Sequence, residues 1–126
     1  MIPNDYFDII MANDVIEHIL DTDAFFEMVQ RKIKNGGHLL LSVPNIRQIR
    51  AAYHIFIRGS FPRDEAGLFD KTHLRWFCKK DIIELASNHG FKTIKSVSVG
   101  RFVPKFMENS KISEFIALQN IFLMKV

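Results

Sequence analysis

The sequence has little cysteine and no long apolar run, and each shortage excludes a class of protein. Cys78 is the only cysteine among 126 residues, so no intramolecular disulfide can form and a reducing compartment is expected. No apolar run reaches the roughly 18 residues that a membrane-spanning helix needs, and the N-terminus lacks the pattern of a signal peptide. We therefore predict a cytoplasmic protein. Lys79 and Lys80 would lower the pKa of the Cys78 thiol, but no base partner is evident and we interpret this cysteine as structural.

The sequence also has little excess charge of one sign. Its formal net charge is +3, with 25% charged and 48% hydrophobic residues, which is typical of one ordinary globular domain. So small an excess does not favour nucleic acid as a partner. The predicted helix over residues 46–58 is basic and amphipathic, which leaves contact with nucleic acid or peripheral contact with a membrane surface as alternatives to simple packing on the core.

The pattern of apolar residues predicts an α/β fold. Residues 6–12 form a short, nearly continuous apolar run, which favours a strand that is covered on both faces. Residues 23–34 have helical spacing, residues 35–37 (Asn-Gly-Gly) predict the turn that ends this helix, and residues 38–43 (HLLLSV) predict a second strand. Strand, helix and strand make a βαβ unit with parallel strands. Further elements are predicted as helices at 81–88 and 113–117 and strands at 91–99 and 121–126.

Polar residues directly after the first strand are the first candidates for a site. Ligands of open parallel sheets bind beyond the carboxyl ends of the strands, and Asn13 and Asp14 follow the first strand there. His18 lies four residues beyond Asp14, so one face of a helix would present both. Glu17 and His18 could equally cap the helix and remain solvated.

A second candidate is the segment DKTHLRWF at residues 70–77. His73 is suited to remove a proton from an acceptor, with Asp70 orienting its ring and Arg75 contacting the substrate. The alternative is that Asp70 and His73 only form hydrogen bonds within the loop. A metal site formed by His18, His73 and nearby acids is an alternative, but it lacks any metal-ligand spacing in the sequence, so we predict no metal site.

The segments FDIIMANDVIEHI, DTDAFFEMVQRKIKNGGHLLLSVPN and DKTHLRWFCKKDIIELASNHGF, in this order, resemble the C-terminal half of a class I S-adenosylmethionine-dependent methyltransferase. Within that superfamily the sequence is similar to the methyltransferases that act on small molecules or on saccharide- or lipid-linked substrates, such as the enzymes of ubiquinone biosynthesis. The resemblance implies a Rossmann-like half-sheet with strands equivalent to 4-5-7-6 of the family sheet, the last strand antiparallel. It also implies S-adenosylmethionine as the cofactor of the complete domain and methyl transfer to a small-molecule or lipid- or sugar-linked acceptor.

The resemblance also implies which residues hold the cofactor and which part of the family is missing. Asn13 and Asp14, the backbone of Ala12 and Val15, and His18 would line its methionine end. The N-terminal half with its glycine-rich loop has no counterpart, so residues 1–126 are expected to be one partial domain that is inactive alone. The first strand would then have an unpaired edge, which predicts a homodimer or association with the missing N-terminal half. The alternative is a non-catalytic half-domain or partner subunit.

Overall fold

The computed structural model describes residues 1–126, and its centre is a four-stranded mixed sheet. The strands are β1 (Phe7–Asn13), β2 (Ile33–Pro44), β3 (Lys92–Val99) and β4 (Gln119–Lys125). They lie in the order β1-β2-β4-β3. β1 is parallel to β2, whereas β4 is antiparallel to both of its neighbours. The predicted α/β class, the parallel βαβ unit and the antiparallel last strand are confirmed.

Three helices connect the strands. α1 (Thr22–Lys32) begins at Asp21, whose side chain accepts a hydrogen bond from the Ala24 amide at 2.9 Å. α2 (Ile49–Ala52) is short and continues as a π-helical turn over Tyr53–Ile57. α3 (Lys79–Asn88) begins with the Asp81 carboxylate accepting from the Cys78 amide at 2.7 Å. Single 3-10 turns occur at Ile16–His18, Lys105–Met107 and Ser113–Phe115. No helix combines the length and the apolar character needed to cross a membrane.

The main core lies between one face of the sheet and helices α1 and α3. Apolar side chains from the three elements form one buried cluster, because alternate strand residues and the inner faces of both helices meet there. Its members from β2 and β4 are Leu39, Leu41, Val43, Phe122 and Met124, and those from the two helices are Phe25, Phe26, Val29, Ile82 and Ala86. A smaller cluster is formed by Ala51 of α2 with Leu68 and Phe69 of the loop that precedes α3.

β1 is less buried than the sequence predicted. We expected a strand covered on both faces, but Ile9 is 60% exposed and Met11 is 62% exposed, and only Ala12 is fully buried. The reason is that Ile10 and Ala12 project toward the core that α1 and α3 cover, whereas Ile9 and Met11 project from the opposite face. β1 is also the end strand of the sheet, with β2 as its one partner. An apolar run therefore lies on an open edge, with its second row of backbone hydrogen-bonding groups unpaired by any strand.

The paired glycines are part of a strand rather than a turn between helix and strand. α1 ends at Lys32, and β2 already pairs through Ile33. Gly36 has φ +79 and lies where the pairing with β1 shifts register, as at a β-bulge. A Cβ at Gly37 would lie 2.8 Å from Ile33 Cγ1 and 2.9 Å from the Lys34 carbonyl oxygen. Glycine is required there by the close approach of the backbone.

Candidate functional site

A cavity of about 440 Å³ lies at the carboxyl ends of β1 and β2. β1 ends at Asn13, and Asp14 then adopts φ +52, which carboxylate and amide residues tolerate better than other side chains. The Asp14 amide donates to the Ser42 carbonyl at 3.2 Å, and its carboxylate accepts from Gln119 Nε2 at 2.8 Å. The lining residues are Asp14, Glu17, His18, Pro44, Gln48, Arg50, Gly67, Leu68, Asp70, His73, Leu118 and Gln119.

Glu17 is a buried carboxyl in the wall of this cavity. Its side chain is 1% exposed, and neither of its carboxylate oxygens has a hydrogen-bond partner. Its backbone carbonyl accepts from the amides of Leu74 at 2.8 Å and Arg75 at 3.2 Å, so the loop before α3 closes over it. Burial raises the pKa of the Glu17 carboxyl above its usual value. Its own backbone amide, His73 and His18 act in the opposite direction, whereas the Asp14 charge adds to the increase.

His73 faces Glu17 with one defined ring nitrogen. Its Nδ1 lies 3.1 Å from the Leu68 carbonyl oxygen. Because a carbonyl oxygen can only accept, Nδ1 carries the proton and Nε2 keeps its lone pair in the neutral ring. Nε2 lies 4.0 Å from Glu17 Oε1, and the side chain is 6% exposed. The cavity wall therefore holds an imidazole of fixed tautomer beside a buried carboxyl.

His18 is fixed in the same way from the opposite side. Its Nδ1 lies 3.2 Å from the Thr72 carbonyl oxygen and 3.3 Å from Thr72 Oγ1. The Thr72 hydroxyl donates to Asp70 at 2.6 Å, so its oxygen is free to accept from His18. These hydrogen bonds from Thr72 to Asp70 hold the pKa of the Asp70 carboxyl below its usual value. The rings of His18 and His73 pack edge to face with centroids 4.7 Å apart.

The structure brings four of the eight sequence-predicted residues to this cavity, and the other four do not line it. Asp14, His18, Asp70 and His73 all line it. The expected contact between Asp70 and the His73 ring is not made, because the Leu68 carbonyl takes the ring N–H and Asp70 is engaged by Thr72.

Arg75 is also placed differently from the prediction. It donates to the Leu20 carbonyl at 2.6 Å and does not line the cavity, where Arg50 is the cationic side chain instead. The remaining candidates lie around the end of β1. Ala12 is buried in the core at 5% exposure, whereas Asn13 and Val15 are exposed beside the cavity.

Sequence reasoning missed four polar residues of the cavity, which are Glu17, Gln48, Arg50 and Gln119. For Glu17, a solvated helix cap and a site role were equal alternatives, and its only signal for burial is its position within the mostly apolar run VIEHIL. Gln48 precedes α2, and Gln119 begins β4, 105 residues from its partner Asp14. No local pattern marks either glutamine, because only the order of the strands brings them to this edge.

Cys78 lies outside the cavity and is not activated. Burial raises the pKa of its thiol, with a smaller contribution in the same direction from the Asp81 carboxylate. The expected lowering by Lys79 and Lys80 is wrong, because desolvation at the start of α3 is the largest effect and the cation that lowers this pKa is Arg47. The structural interpretation of this cysteine agrees with its partial burial.

The family model described as a methyltransferase domain matches residues 2–96. The chain belongs to this methyltransferase family. Among curated proteins, none matches it significantly. Solved structures share the fold of this methyltransferase chain at low sequence identity. An S-adenosylmethionine-dependent methyltransferase from Thermotoga maritima superposes with a TM-score of 0.67 at 16% identity, over 98% of this chain and 58% of that one. An S-adenosylmethionine-dependent methyltransferase from Archaeoglobus fulgidus superposes with a TM-score of 0.65 at 15% identity, over 99% of this chain and 62% of that one.

A third similar structure is a methyltransferase from Haloferax volcanii, solved in complex with the Trm112 methyltransferase activator. It gives a TM-score of 0.60 at 12% identity, over 98% of this methyltransferase chain and 55% of its own. The chain thus spans less than two thirds of the length of the structures it resembles. The names of the first two relatives support S-adenosylmethionine as the cofactor expected for the complete domain.

Proposed function

We propose that residues 1–126 form the C-terminal part of an S-adenosylmethionine-dependent methyltransferase domain. In this proposal β1, β2, β3 and β4 correspond to strands 4, 5, 6 and 7 of the family sheet. The observation that carries it is the order β1-β2-β4-β3 with an antiparallel β4, together with a polar cavity at the carboxyl ends of the parallel pair. The acceptor would be a small molecule or a lipid- or sugar-linked compound, as for the enzymes of ubiquinone biosynthesis.

The residues at the end of β1 would hold the cofactor. Asp14 offers a carboxylate to the amino group of its methionine end, and Asn13 with the backbone of Ala12 and Val15 forms the adjoining wall. His18 completes this side, since its Nδ1–H is held by Thr72. Ordered contacts of this kind supply the alignment on which an in-line methyl transfer depends.

His73 would take the proton from a hydroxyl or amine acceptor. Its Nε2 lone pair is available because Nδ1–H is bound to the Leu68 carbonyl. The Glu17 carboxylate, with an oxygen 4.0 Å from Nε2, would stabilise the imidazolium that forms. In this assignment Asp70 positions His18 indirectly, by accepting the hydrogen bond of the Thr72 hydroxyl. Arg75 does not contact the substrate; it attaches the loop before α3 to the Leu20 carbonyl.

Calorimetric titration of the untagged chain with S-adenosylhomocysteine tests the proposal. We expect saturable micromolar binding that Asp14→Asn weakens by about tenfold or more, because one charge-assisted hydrogen bond is lost. Asparagine tolerates the backbone conformation of Asp14, so the fold is kept. Asp8→Asn, which removes an exposed ion pair with Lys34, is the matched control. Absence of heat, or equal binding by both variants, would contradict the assigned cofactor contacts.

The alternative is a non-catalytic half-domain that associates through β1. The observation that favours it is the open edge of β1 with Ile9 and Met11 exposed. A second copy across a two-fold axis, or a chain that supplies the N-terminal half of the fold, would pair with this edge. Sedimentation that shows only monomer at micromolar concentration would contradict self-association.

Peripheral contact with a membrane remains a further proposal for the segment around α2. Phe56 is 81% exposed and Ile57 is 74% exposed, next to the cationic Arg58. Apolar side chains beside cationic ones are typical of surfaces that bind anionic lipid. Flotation with anionic vesicles, compared with neutral vesicles, would test this contact, and recovery of all protein away from both would refute it.

A further inference from the structure

Three side chains in the cavity wall have the composition and spacing of a metal site. Glu17, His18 and His73 each offer a ligand atom, and these atoms lie within 4.8 Å of one another. Two of the residues come from the turn after β1 and the third from the loop before α3, so the tertiary fold assembles the group. A cluster of this kind needs independent evidence before it indicates a ligand.

The first such evidence is the state of Glu17. Its side chain is 1% exposed, and both oxygens lack any hydrogen-bond partner in the protein. A buried carboxylate with no partner is costly, because it has lost its hydration without gaining a compensating contact. Neither Arg50 nor any other cationic side chain forms an ion pair with it, and the contact with His73 at 4.0 Å is longer than a hydrogen bond. A cation between these groups would compensate the charge.

The second piece of evidence is the support of both imidazoles. The Nδ1–H of His73 is held by the Leu68 carbonyl, and the Nδ1–H of His18 is held by Thr72. Histidines that bind metals usually donate their other ring N–H to a carbonyl or carboxylate, which fixes the ring and the tautomer. Both lone pairs are thereby left on Nε2. This arrangement is more specific than the presence of two histidines near an acid.

We propose that Glu17, His18 and His73 bind one divalent transition-metal ion of the Zn²⁺ class. Two imidazoles and one carboxylate are a ligand set that Zn²⁺ and Fe²⁺ accept, whereas Mg²⁺ and Ca²⁺ prefer oxygen donors alone. Ligand bonds of about 2.0–2.2 Å require the three side chains to move toward each other from their present spacing. The solvent-accessible side of the cluster, which opens into the cavity, leaves a coordination position for water or an acceptor oxygen.

The ion would change how the cavity handles an acceptor proton. It would occupy the Nε2 lone pair of His73, so His73 could not act as a base at the same time. It would instead lower the pKa of an oxygen bound at the open position. This role rests on the proposed function, whereas metal binding itself does not depend on it.

Equilibrium dialysis of the untagged, chelator-treated chain against Zn²⁺, with metal analysis by mass spectrometry, tests the proposal. We expect one ion per chain. Glu17→Gln keeps the shape of the side chain, and we expect it to weaken binding by more than about tenfold, since ligand loss should exceed the 10- to 100-fold effects of supporting residues. Co²⁺ substitution gives a second readout, because visible absorption bands report coordination by nitrogen and oxygen without any enzymatic assay.

His89→Gln is the matched control, since His89 also lies beside a carboxylate, with Nε2 2.8 Å from Asp23 Oδ1, but away from the cavity. It should bind Zn²⁺ as the unchanged chain does. Circular dichroism checks that each variant is folded. The proposal is overturned if the chain binds no Zn²⁺ at micromolar concentration, or if Glu17→Gln and His89→Gln bind it equally well. The dialysis contains no cofactor, so its outcome does not depend on whether the chain binds S-adenosylhomocysteine.

Discussion

Replacement of Glu17 by methionine should stabilise the metal-free protein. The side chain is 1% exposed with both oxygens unpartnered, so the native state carries the desolvation cost of a polar group without a compensating hydrogen bond. That cost is about 1–3 kcal/mol for a neutral group and more for a charged one. Methionine has a similar length and a similar helix propensity. We therefore expect Glu17→Met to raise the free energy of unfolding by about 1–3 kcal/mol near neutral pH.

The pH dependence of this gain follows from the direction of the pKa shift. Burial raises the pKa of Glu17 in the folded protein above its ordinary value of 4.5. The folded state therefore binds more protons than the unfolded state between 4.5 and the raised pKa, and the stability of the unchanged protein falls as pH rises through that window. The advantage of Glu17→Met should be smallest below about pH 4, where the carboxyl is protonated in both states. It should reach its full size above the raised pKa.

Urea unfolding in the presence of a chelator, followed by circular dichroism over this pH range, measures the effect. Glu27→Met on the exposed surface of α1 is the control, and we expect it to change stability by less than about 0.5 kcal/mol. Added Zn²⁺ should stabilise the unchanged protein but not Glu17→Met, by about 2.7 kcal/mol at one hundred times the dissociation constant. If Glu17→Met is less stable than the unchanged protein in chelator at neutral pH, the inferred cost of the buried carboxylate is wrong.

Three further predictions concern the scaffold around the site. Asn45 is fully buried and donates to two carbonyl groups of the 114–117 segment at 2.6 and 3.0 Å. Asn45→Ala should therefore lower the free energy of unfolding by roughly 2–4 kcal/mol in urea titrations. A loss below about 1 kcal/mol would contradict this expectation. Gly37→Ala should cost about 1–3 kcal/mol, because the new methyl group meets backbone oxygens at 2.9 and 3.0 Å, and unchanged thermal stability would show that the bulge relaxes. Met11→Lys should shift sedimentation toward monomer, since charge on an open edge opposes strand pairing, whereas an unchanged distribution would refute pairing through β1. These variants leave the cavity residues in place.

The elements of the fold were largely predictable because their signals are local. α1 was predicted at 23–34 and spans Thr22–Lys32, since its cap at Asp21 and its apolar spacing lie within one stretch of sequence. β3 was predicted at 91–99 from its alternation of apolar and polar residues, and it spans Lys92–Val99. The helix predicted at 46–58 begins later and ends in a π-helical turn. The Asn45 side chain accepts from the Arg47 amide and the Gln48 side chain donates to the Asn45 carbonyl, and these hydrogen bonds keep residues 45–48 irregular. The order of the strands came from the family resemblance, since periodicity alone does not state which strands are neighbours.

The sequence by itself determined the α/β class, the parallel βαβ unit and the placement of Asp14, His18, Asp70 and His73 as site candidates. These follow from residue spacing and from the rule that ligands bind beyond the carboxyl ends of parallel strands. Only the tertiary structure decided that Glu17 is buried, because its burial depends on a loop more than fifty positions away that closes over it through the amides of residues 74 and 75. Ring tautomers, ion pairs and open strand edges are properties of what is adjacent in space, and sequence spacing does not encode that adjacency over such separations.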